Sequence, residues 1–430
     1  MQNQNQNQNS YLLEQLKEQK ALISQAKSAA RELVLSSTKH KNKVLLDMAE
    51  IIEQNCEVII EANKLDLNSA KQLGIASAMI DRLSIDRDGI KQMCRALREV
   101  AQLEDPLEAT SAVTQRPNGI RVSKKRIPLG VILMIYEARP NVTVEAASLA
   151  FKSGNAIILR GGKEALQTNL ALAQCWRKAL SQNDFSESLI SVLSTPDRSL
   201  LDELLKMDEL IDVVIPRGGE GLIRHVVRNS HIPVIKHYKG VCHLYVDQEA
   251  DFDKAINIAI NGKTQRPGVC NALEGIIVHQ NIAEDFLPLL AKAVEQYDVE
   301  ILGCETACSV LKKINVATEA DFDTEFLSLK MTLKVVQDLE EAISFIDRFG
   351  SGHTEVIVTE NNQVAEKFLN RVDASVVMWN ASSRFSDGGE LGLGAEIGIS
   401  TSKLHAYGPM GLAQLTSEKF VVVGNGQVRE

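Results

Sequence analysis

Residues 153–180 read SGNAIILRGGKEALQTNLALAQCWRKAL, and this stretch decides the fold class. A short apolar run, AIILR at 156–160, leads into the turn RGGK and then into an amphipathic segment. Apolar strands that alternate with helices are typical of parallel sheets covered on both faces. The stretch therefore predicts an α/β protein.

The same alternation extends over much of the chain. Before residue 262 the predicted strands are LISVL at 189–193, DVVIP at 212–216 and HLYVD at 243–247, and after residue 270 they are GIIVH, TEVIVTE and SVVMWN. Residues 10–103 instead show helical spacing, with Leu45, Met48 and Ile52 on one face. We expect two α/β units joined near residues 262–268, preceded by helices.

The remaining β-rich segments lie at 119–140 and at the end of the chain. GIRVSKKRIPLGVILMIYEARP predicts strands leading out and back, and LTSEKFVVVGNGQVRE predicts a terminal strand. That terminal strand is suited to pairing with another subunit or with the hairpin near 115–130. The Asn/Gln repeat at residues 1–9 predicts a disordered tail.

Composition excludes several classes of protein. The chain has 430 residues and a formal net charge of -9, which argues against a nucleic-acid-binding surface. It has no apolar run of about 18 residues, and its first residues lack the pattern of a signal peptide, so we expect a cytoplasmic protein without a membrane anchor. Seven cysteines, an odd number, favour reduced thiols.

One cysteine has an unusual setting. In KTQRPGVCNALEG, Cys270 follows Lys263, Arg266 and Gly268 and lies between a predicted helix and a predicted strand. Nearby positive charge and backbone N–H groups favour a thiolate nucleophile, whereas many cysteines are buried and inert. The local residues leave both interpretations open.

Glycine-rich turns offer further candidate sites. RGGK and PRGGEG each follow a predicted strand, and backbone N–H groups at a helix start can bind phosphate, although glycine at such turns also serves geometry alone. The loop GGELGLGAEIGISTSKLHAYGPMG contacts substrate or packs one domain against another. We expect no metal site, because the histidines at 225, 231, 237 and 243 and the pair in CETAC lack zinc-ligand spacing.

Six motifs occur together in the order and approximate spacing of the aldehyde dehydrogenase superfamily. They are GVILMIYEARPN, SGNAIILRGGKEA, IDVVIPRGGEGL, HLYVDQEADFDKA, QRPGVCNALEGIIVH and RFSDGGELGLGAEIG. The chain after its Asn/Gln repeat resembles that superfamily. The resemblance implies a Rossmann-like cofactor domain at 10–110 and 136–264, an α/β catalytic domain at 265–405, and a small β oligomerisation flap at 111–135 and 406–430.

The resemblance also implies roles for individual residues. It makes Cys270 the nucleophile and Asn141 an amide of the oxyanion hole. Glu325 resembles the glutamate that binds the nicotinamide ribose, and Arg160 stands where the adenosine-ribose turn usually has lysine. The cofactor-binding residues it implies are Arg160, Gly161, Gly162, Lys163, Arg217, Gly218, Gly219 and Glu325. The candidate substrate-binding cations are Arg139, Arg266, Arg384 and Lys403, each of which could instead be a surface charge.

One departure from the superfamily indicates the reaction. Oxidising members carry a Glu-Leu-Gly-Gly element whose glutamate activates the hydrolytic water, but residues 235–247 here read IKHYKGVCHLYVD, without a carboxylate at that place. An enzyme without this base is suited to a thioester that exchanges with phosphate. The resemblance thus implies NADPH-dependent reduction of L-glutamyl 5-phosphate to L-glutamate 5-semialdehyde, in proline biosynthesis.

Further expectations follow from the resemblance and from charge. Arg160, Lys163 and Arg217 near the cofactor turns favour NADP over NAD. We expect a homo-oligomer and a transient contact with glutamate 5-kinase, which makes the labile acyl phosphate. Two alternatives stay open: an NAD(P)-dependent dehydrogenase that oxidises a small aldehyde to its acid, and a catalytically silent structural member of the fold.

Overall fold

The structure, a computed structural model, describes residues 2–75 and 77–429. The chain divides into two compact units. The first unit contains the chain up to Lys236, Leu393–Gly398 and the residues from Met410 onward, and the second contains His237–Gly392 and Ile399–Pro409. We expected the main boundary at 264/265. It lies earlier because the HLYVD strand pairs on both sides with strands of the second unit.

The first unit begins with a group of helices, as the spacing of apolar residues predicts. These are α1 (Gln2–Leu33), α2 (Thr38–Gln54), α3 (Cys56–Gln72), α4 (Ser77–Leu83) and α5 (Arg87–Gln102). In α2 the face formed by Leu45, Met48 and Ile52 is fully buried. The side chain of Ser37 caps α2 and that of Asp86 caps α5, each accepting a hydrogen bond from a backbone N–H of the first turn.

The Asn/Gln repeat differs from its prediction. Residues 2–9 of the expected disordered tail belong to helix α1, and residue 1 lies outside the described residues. Gln is among the better helix formers, and extending an existing helix avoids the cost of nucleation. The amphipathic turns that follow supply that helix.

A four-stranded parallel sheet forms the centre of the first unit. Its strands are β3 (Val131–Tyr136), β4 (Ala156–Arg160), β5 (Ile190–Val192) and β6 (Val213–Arg217), in the order β5-β4-β3-β6. Helices α6 (Val142–Lys152), α7 (Leu166–Ser181), α8 (Arg198–Leu204) and α9 (Glu220–Asn229) follow the strands in turn. The strand order reverses at β3, so the turns after β3 and β6 flank a crevice at the carboxyl edge, where ligands of such sheets bind.

A small antiparallel sheet also belongs to the first unit. It contains β1 (Thr114–Gln115), β2 (Arg121–Pro128) and β16 (Thr416–Val423), with β2 in the middle. The predicted pairing of the terminal strand with the hairpin is confirmed, from Thr416 opposite Pro128 to Val423 opposite Arg121. Residues 131–135, expected in this flap, instead lie in β3, because that strand is fully buried and pairs with strands on both sides.

The second unit is built on a parallel sheet of seven described strands, in the order β10-β9-β11-β8-β7-β12-β13. The strands are β7 (Cys242–Val246), β8 (Leu273–His279), β9 (Glu300–Gly303), β10 (Asn315–Val316), β11 (Lys330–Val336), β12 (Thr354–Val358) and β13 (Val376–Trp379). The helices are α10 (Phe252–Thr264), α11 (Ala283–Glu295), α12 (Glu305–Val310), α13 (Glu319–Phe322), α14 (Leu339–Phe349) and α15 (Asn362–Arg371).

The faces of this second sheet are covered by separate apolar clusters. One cluster contains Leu244, Phe286 and Met331, and the other contains Tyr245, Ile277 and Phe368. The predicted α/β fold class is therefore confirmed. The short strands β14 (Gly398–Ser400) and β15 (Gly408–Met410) pair with each other. No helix of the described residues is long and apolar enough to cross a membrane.

Candidate active site

A pocket in the first unit brings together three of the predicted site residues. Arg139 and Asn141 come directly after β3, Arg217 ends β6, and all three line the pocket together with Glu145, Glu396 and nearby apolar groups. This is the crevice that the reversal of strand order predicts at the carboxyl edge. Guanidinium and carboxylate groups therefore line the same pocket, which suits a polar ligand.

The Asn141 amide already has a partner. Its Nδ2 donates to Glu145 Oε1 at 2.9 Å, because the two residues are four apart at the start of α6 and lie on one face. Glu145 thus holds the amide in one orientation. Sequence reasoning did not single out Glu145, although its i, i+4 spacing from Asn141 was visible.

Three of the four glycines in the two predicted cofactor turns lie very close to neighbouring side chains. A Cβ at Gly161 would lie 2.2 Å from Asn169 Nδ2, and one at Gly162 would lie 2.0 Å from Glu164 Oε1. At Gly218 a Cβ would lie 2.7 Å from Leu222 Cδ2 and 2.8 Å from the Glu137 carboxylate. Gly219 has open space around its Cα. At the other three positions a Cβ would force the neighbouring side chain to move.

Two carboxylates that sequence reasoning missed fix these turns. Glu137 Oε2 accepts a hydrogen bond from Gly219 N at 3.0 Å, and Glu164 Oε1 accepts one from Ala138 N at 2.9 Å. The Gly219 N–H, expected to be a phosphate donor, is thus engaged by a carboxylate. Glu164 directly follows RGGK in the sequence, whereas Glu137 lies far from both glycine turns and close to Arg139.

The residues of the RGGK turn fit a polar cofactor. Arg160 Nη2 donates to Pro196 O at 2.7 Å, whereas Arg160 Nε and Asn169 Nδ2 are buried donors without a partner among the described residues. Burial lowers the pKa of Arg160 most, Glu164 raises it, and the neighbouring Arg198 lowers it. Unpartnered buried donors are rare, and here they lie at a turn where a ligand could accept from them.

In the second unit, Cys270 lies in the turn between α10 and β8 and is partly exposed. Its backbone contacts the segment that precedes β7. A Cβ at Gly240 would lie 2.1 Å from Cys270 O, and the Cys242 thiol donates to the same oxygen at 3.2 Å. Burial raises the pKa of Cys242 well above its ordinary value, and the carboxylate of Glu355 adds to this, so Cys242 stays a neutral thiol donor. The carbonyl of the candidate nucleophile is thus held in place from two sides.

Two of the predicted substrate cations share the surroundings of Cys270. Burial lowers the pKa of Arg384, and the nearby Arg266 guanidinium lowers it further, whereas Asp387 and Cys270 raise it. Arg384 Nε donates to Gln265 Oε1 at 2.7 Å, which ties Arg384 to the turn that contains Cys270. Arg384 is therefore close enough to both Arg266 and Cys270 for their charges to act on it.

Buried hydroxyl and amide groups hold the residue after the thiol. Ser383 Oγ donates to Asn271 O at 2.7 Å, and Asn271 Nδ2 donates to Ser386 O at 2.9 Å. Both serines lie beside Arg384, in or next to a short 3-10 turn. These two hydrogen bonds join the Arg384 turn to the turn that contains Cys270.

The structure does not bring Lys403 into this cluster. Its Nζ lies 2.6 Å from Asp373 Oδ2, and its side chain is 65% exposed. A surface pair of this kind contributes little energy. Glu325, in contrast, lies in the loop before β11, and its charge acts on the buried residues Lys263 and Glu274.

Metal ligands do not gather in the part of the chain that the structure describes: no three His, Cys, Asp or Glu side chains are grouped to hold an ion there. The regularly spaced histidines serve separate purposes. His225 Nε2 lies 2.7 Å from Asp202 Oδ1 on the surface, whereas His243 is buried with its Nδ1 3.1 Å from Glu355 Oε2.

Comparisons with known proteins agree with this architecture. The sequence profile of the aldehyde dehydrogenase family matches residues 5–306. A gamma-glutamyl phosphate reductase of Idiomarina loihiensis is 53% identical over 96% of this chain and 99% of its own, and one of Colwellia psychrerythraea is 51% identical over 95% and 98%.

Solved structures extend the comparison. The crystal structure of gamma-glutamyl phosphate reductase from Thermotoga maritima superposes with a TM-score of 0.93 at 43% identity, covering 97% of this chain and 100% of that one. An acetylating aldehyde dehydrogenase from Geobacillus thermoglucosidasius, at 18% identity and a TM-score of 0.69 over 98% and 99%, shares the fold. The chain therefore belongs to the aldehyde dehydrogenase family, in the branch of the gamma-glutamyl phosphate reductases.

Proposed function

We propose that the chain reduces L-glutamyl 5-phosphate to L-glutamate 5-semialdehyde and phosphate with NADPH, the second step of proline biosynthesis. The observation that carries the proposal is the segment 237–241, which packs on Cys270 through Gly240 and contains no carboxylate. A thioester on Cys270 then lacks a base from this segment to activate water. Relatives of similar length and about half-identical sequence bear the name of this activity.

Cys270 is the proposed nucleophile. Its thiolate attacks the acyl carbon, the carbon–sulfur bond forms, and the carbon–oxygen bond to phosphate breaks, so that phosphate leaves with the electron pair. Bound NADPH supplies the hydride that reduces the resulting thioester carbon. The thiohemiacetal oxyanion then collapses, the carbon–sulfur bond breaks, and the aldehyde and the thiolate are released.

Developing negative charge in these steps needs donors. We assign this role to the backbone N–H of Cys270 and to the side-chain amide of Asn141, whose second hydrogen remains available while the first is bound by Glu145. The resemblance supports the assignment of Asn141. The Cys242 thiol and Gly240 support the assignment of the Cys270 N–H, because both contact the backbone carbonyl of Cys270.

The substrate phosphate is attached to the reacting carbon, so the cations that bind it must be close to Cys270. Arg266 and Arg384 meet this condition, and we assign them to the phosphate. Arg139 lines the pocket of the first unit, and we propose that it binds the α-carboxylate of the substrate, which is farther from the reacting carbon. Lys403 is engaged by Asp373 on the surface, and we give it no substrate role.

NADP rather than NAD is the proposed cofactor. Arg160, Gly161, Gly162 and Lys163 form the turn that would hold the adenosine ribose, and Arg198 adds a second guanidinium close enough to act on Arg160. Such a concentration of positive charge suits a 2′-phosphate. Glu325 is proposed to bind the nicotinamide ribose, and Arg217 with its glycines to border the cofactor crevice.

Assembly and location complete the proposal. Strand β16 lies at the edge of its three-stranded sheet and exposes Phe420 and Val422, so we propose that it pairs with a second copy of the chain. We further propose a cytoplasmic enzyme that briefly contacts glutamate 5-kinase. The absence of disulfides among the seven described cysteines supports a reducing compartment.

The test follows oxidation of L-glutamate 5-semialdehyde with NADP, with and without phosphate, and identifies the product. We expect turnover that requires phosphate and yields an acyl phosphate, and Cys270→Ala should abolish it. Formation of free glutamate without phosphate would instead favour an aldehyde-oxidising dehydrogenase. No turnover with either nicotinamide cofactor would favour a catalytically silent member of the fold.

A further inference from the structure

A fully buried ion pair encloses the segment that contains Cys270. Lys263 Nζ lies 2.8 Å from Glu274 Oε2, with side chains 0% and 1% exposed. Lys263 lies in the last turn of α10 and Glu274 is the second residue of β8. The pair therefore joins the two ends of the turn in which Cys270 lies.

The same carboxylate reaches a second loop. Glu274 Oε1 accepts a hydrogen bond from Leu327 N at 3.3 Å, and Leu327 has a φ of 53°, in the left-handed region that few leucines adopt. Leu327 is two residues beyond Glu325 in the loop before β11. One carboxylate thus accepts one bond from the thiol segment and one from the Glu325 loop.

The cost of this arrangement points to a role beyond stability. Two charges taken out of water pay a desolvation penalty, and apolar residues of the same volume often stabilise a protein at least as well. Burial raises the pKa of Glu274 to about 7 against the opposing effect of Lys263, and burial lowers the pKa of Lys263 against that of Glu274. Glu325 raises both values.

We propose that Lys263 and Glu274 are positioning residues that hold the Cys270 turn closed and fix it to the loop carrying Glu325. The nucleophile and the carboxylate assigned to the nicotinamide ribose then share one rigid frame. Positioning of reacting groups to within about 1 Å is worth roughly 100-fold in rate. This inference rests on the proposed function for its kinetic consequences, but its structural claim concerns only the two loops.

The nearly isosteric variant Glu274→Gln is the first test. Lys263 Nζ and Leu327 N donate to different oxygens of Glu274, and glutamine carries an NH2 donor in place of one of them, so one of the two bonds is lost. We expect a folded protein whose kcat falls at least 10-fold while its KM for semialdehyde changes less than threefold. The rate of Cys270 alkylation by iodoacetamide, followed by peptide mass spectrometry, should change by a similar factor. Parent-like kcat and alkylation in this variant would overturn the proposal.

Removal of both charges separates positioning from stability. Lys263→Met and Glu274→Leu each leave one buried group unpaired and should lower the urea midpoint, whereas the double variant should regain it. The double variant still lacks an acceptor for the Leu327 N–H, so its kcat should stay at least 10-fold low. If the double variant regains both the urea midpoint and the kcat of the parent, the ion pair has only a structural role and the proposal is overturned. The control is Lys254→Met on the same helix, whose exposed partner is Glu360, and it should match the parent.

The two readouts distinguish the failures of the two proposals. Alkylation of Cys270 needs no substrate, so it tests the frame even if the parent protein does not turn over semialdehyde. An inactive parent with altered alkylation in Glu274→Gln would overturn the proposed function alone. An active parent with unaltered variants would overturn the positioning role alone.

Discussion

Substitution of Gly240 by alanine should move the backbone of the candidate nucleophile, Cys270, without changing that residue. A Cβ at this position would lie 2.1 Å from Cys270 O and 2.8 Å from both Cα and C of Cys270. Real Cβ contacts do not come below 3.0 Å, so the two segments must separate by about 0.9 Å. Gly240 is not among the described residues with positive φ, so the substitution adds a steric contact and no backbone strain.

The size of the effect follows from this displacement. Misplacing a reacting group by about 1 Å lowers the rate roughly 100-fold, and overpacking a buried contact costs about 1–3 kcal/mol of unfolding free energy. We therefore expect Gly240→Ala to fold with a lowered urea midpoint and a kcat reduced about 100-fold. The Cys242 bond to the same carbonyl should resist the shift and add to the loss of stability.

The assay measures kcat for semialdehyde oxidation, Cys270 alkylation and urea unfolding on the same preparations. Gly221→Ala is the matched control, because a Cβ there meets nothing within 4 Å and lies in helix α9. We expect that control to equal the parent in kcat and to be equally or more stable. A Gly240→Ala protein with kcat and alkylation within twofold of the parent would refute the inferred contact between the two segments.

Further substitutions test the assigned charges. Arg384→Ala should raise the KM for phosphate at least 10-fold in the oxidative direction, since a cation near Cys270 is lost, and an unchanged KM would contradict that assignment. Lys403→Ala should change neither KM nor kcat more than twofold, because its charge pairs with Asp373 on the surface. Arg160→Ala should raise the KM for NADP more than that for NAD, and equal effects would count against a 2′-phosphate contact. Because the pKa of Glu274 is raised from 4.5 to about 7 in the folded protein, its stabilising contribution is complete below pH 4.5 and is lost as the pH rises through about 7. The unfolding free energy of the parent, measured by urea titration, should therefore fall relative to that of Glu274→Gln between about pH 5 and pH 8.

The strands of the two parallel sheets were predictable because their side chains report their surroundings directly. AIILR and DVVIP are apolar except for one charged residue at an end, and four of the five residues of β4 and of β6 are buried. The terminal strand was predictable from the β-rich run FVVV, although most of its residues are exposed. Local composition could not decide which sheet a buried strand joins, and HLYVD was therefore placed in the wrong unit.

The candidate site divides in a similar way. The glycine turns, Cys270 and the two arginines were found by sequence because each lies in a short motif with its own chemistry. Three glutamates were missed, although Glu164 directly follows RGGK and Glu137 and Glu145 each lie four residues from Asn141. Nothing local marked Gly240 as the neighbour of Cys270, because that contact joins residues that are thirty positions apart.

The sequence by itself determined the α/β class and the family and singled out Cys270 as the candidate thiol, because hydrophobic periodicity and ordered motifs are properties of the chain. Tertiary structure alone decided which groups hold that thiol in place. Lys263 and Glu274 become partners because the fold brings the end of α10 next to the start of β8. Both side chains are buried there, so removing either one leaves an unpaired buried charge, which strongly destabilises a protein. The sequence shows that residues 237–241 contain no carboxylate, but only the structure shows that this segment packs against Cys270.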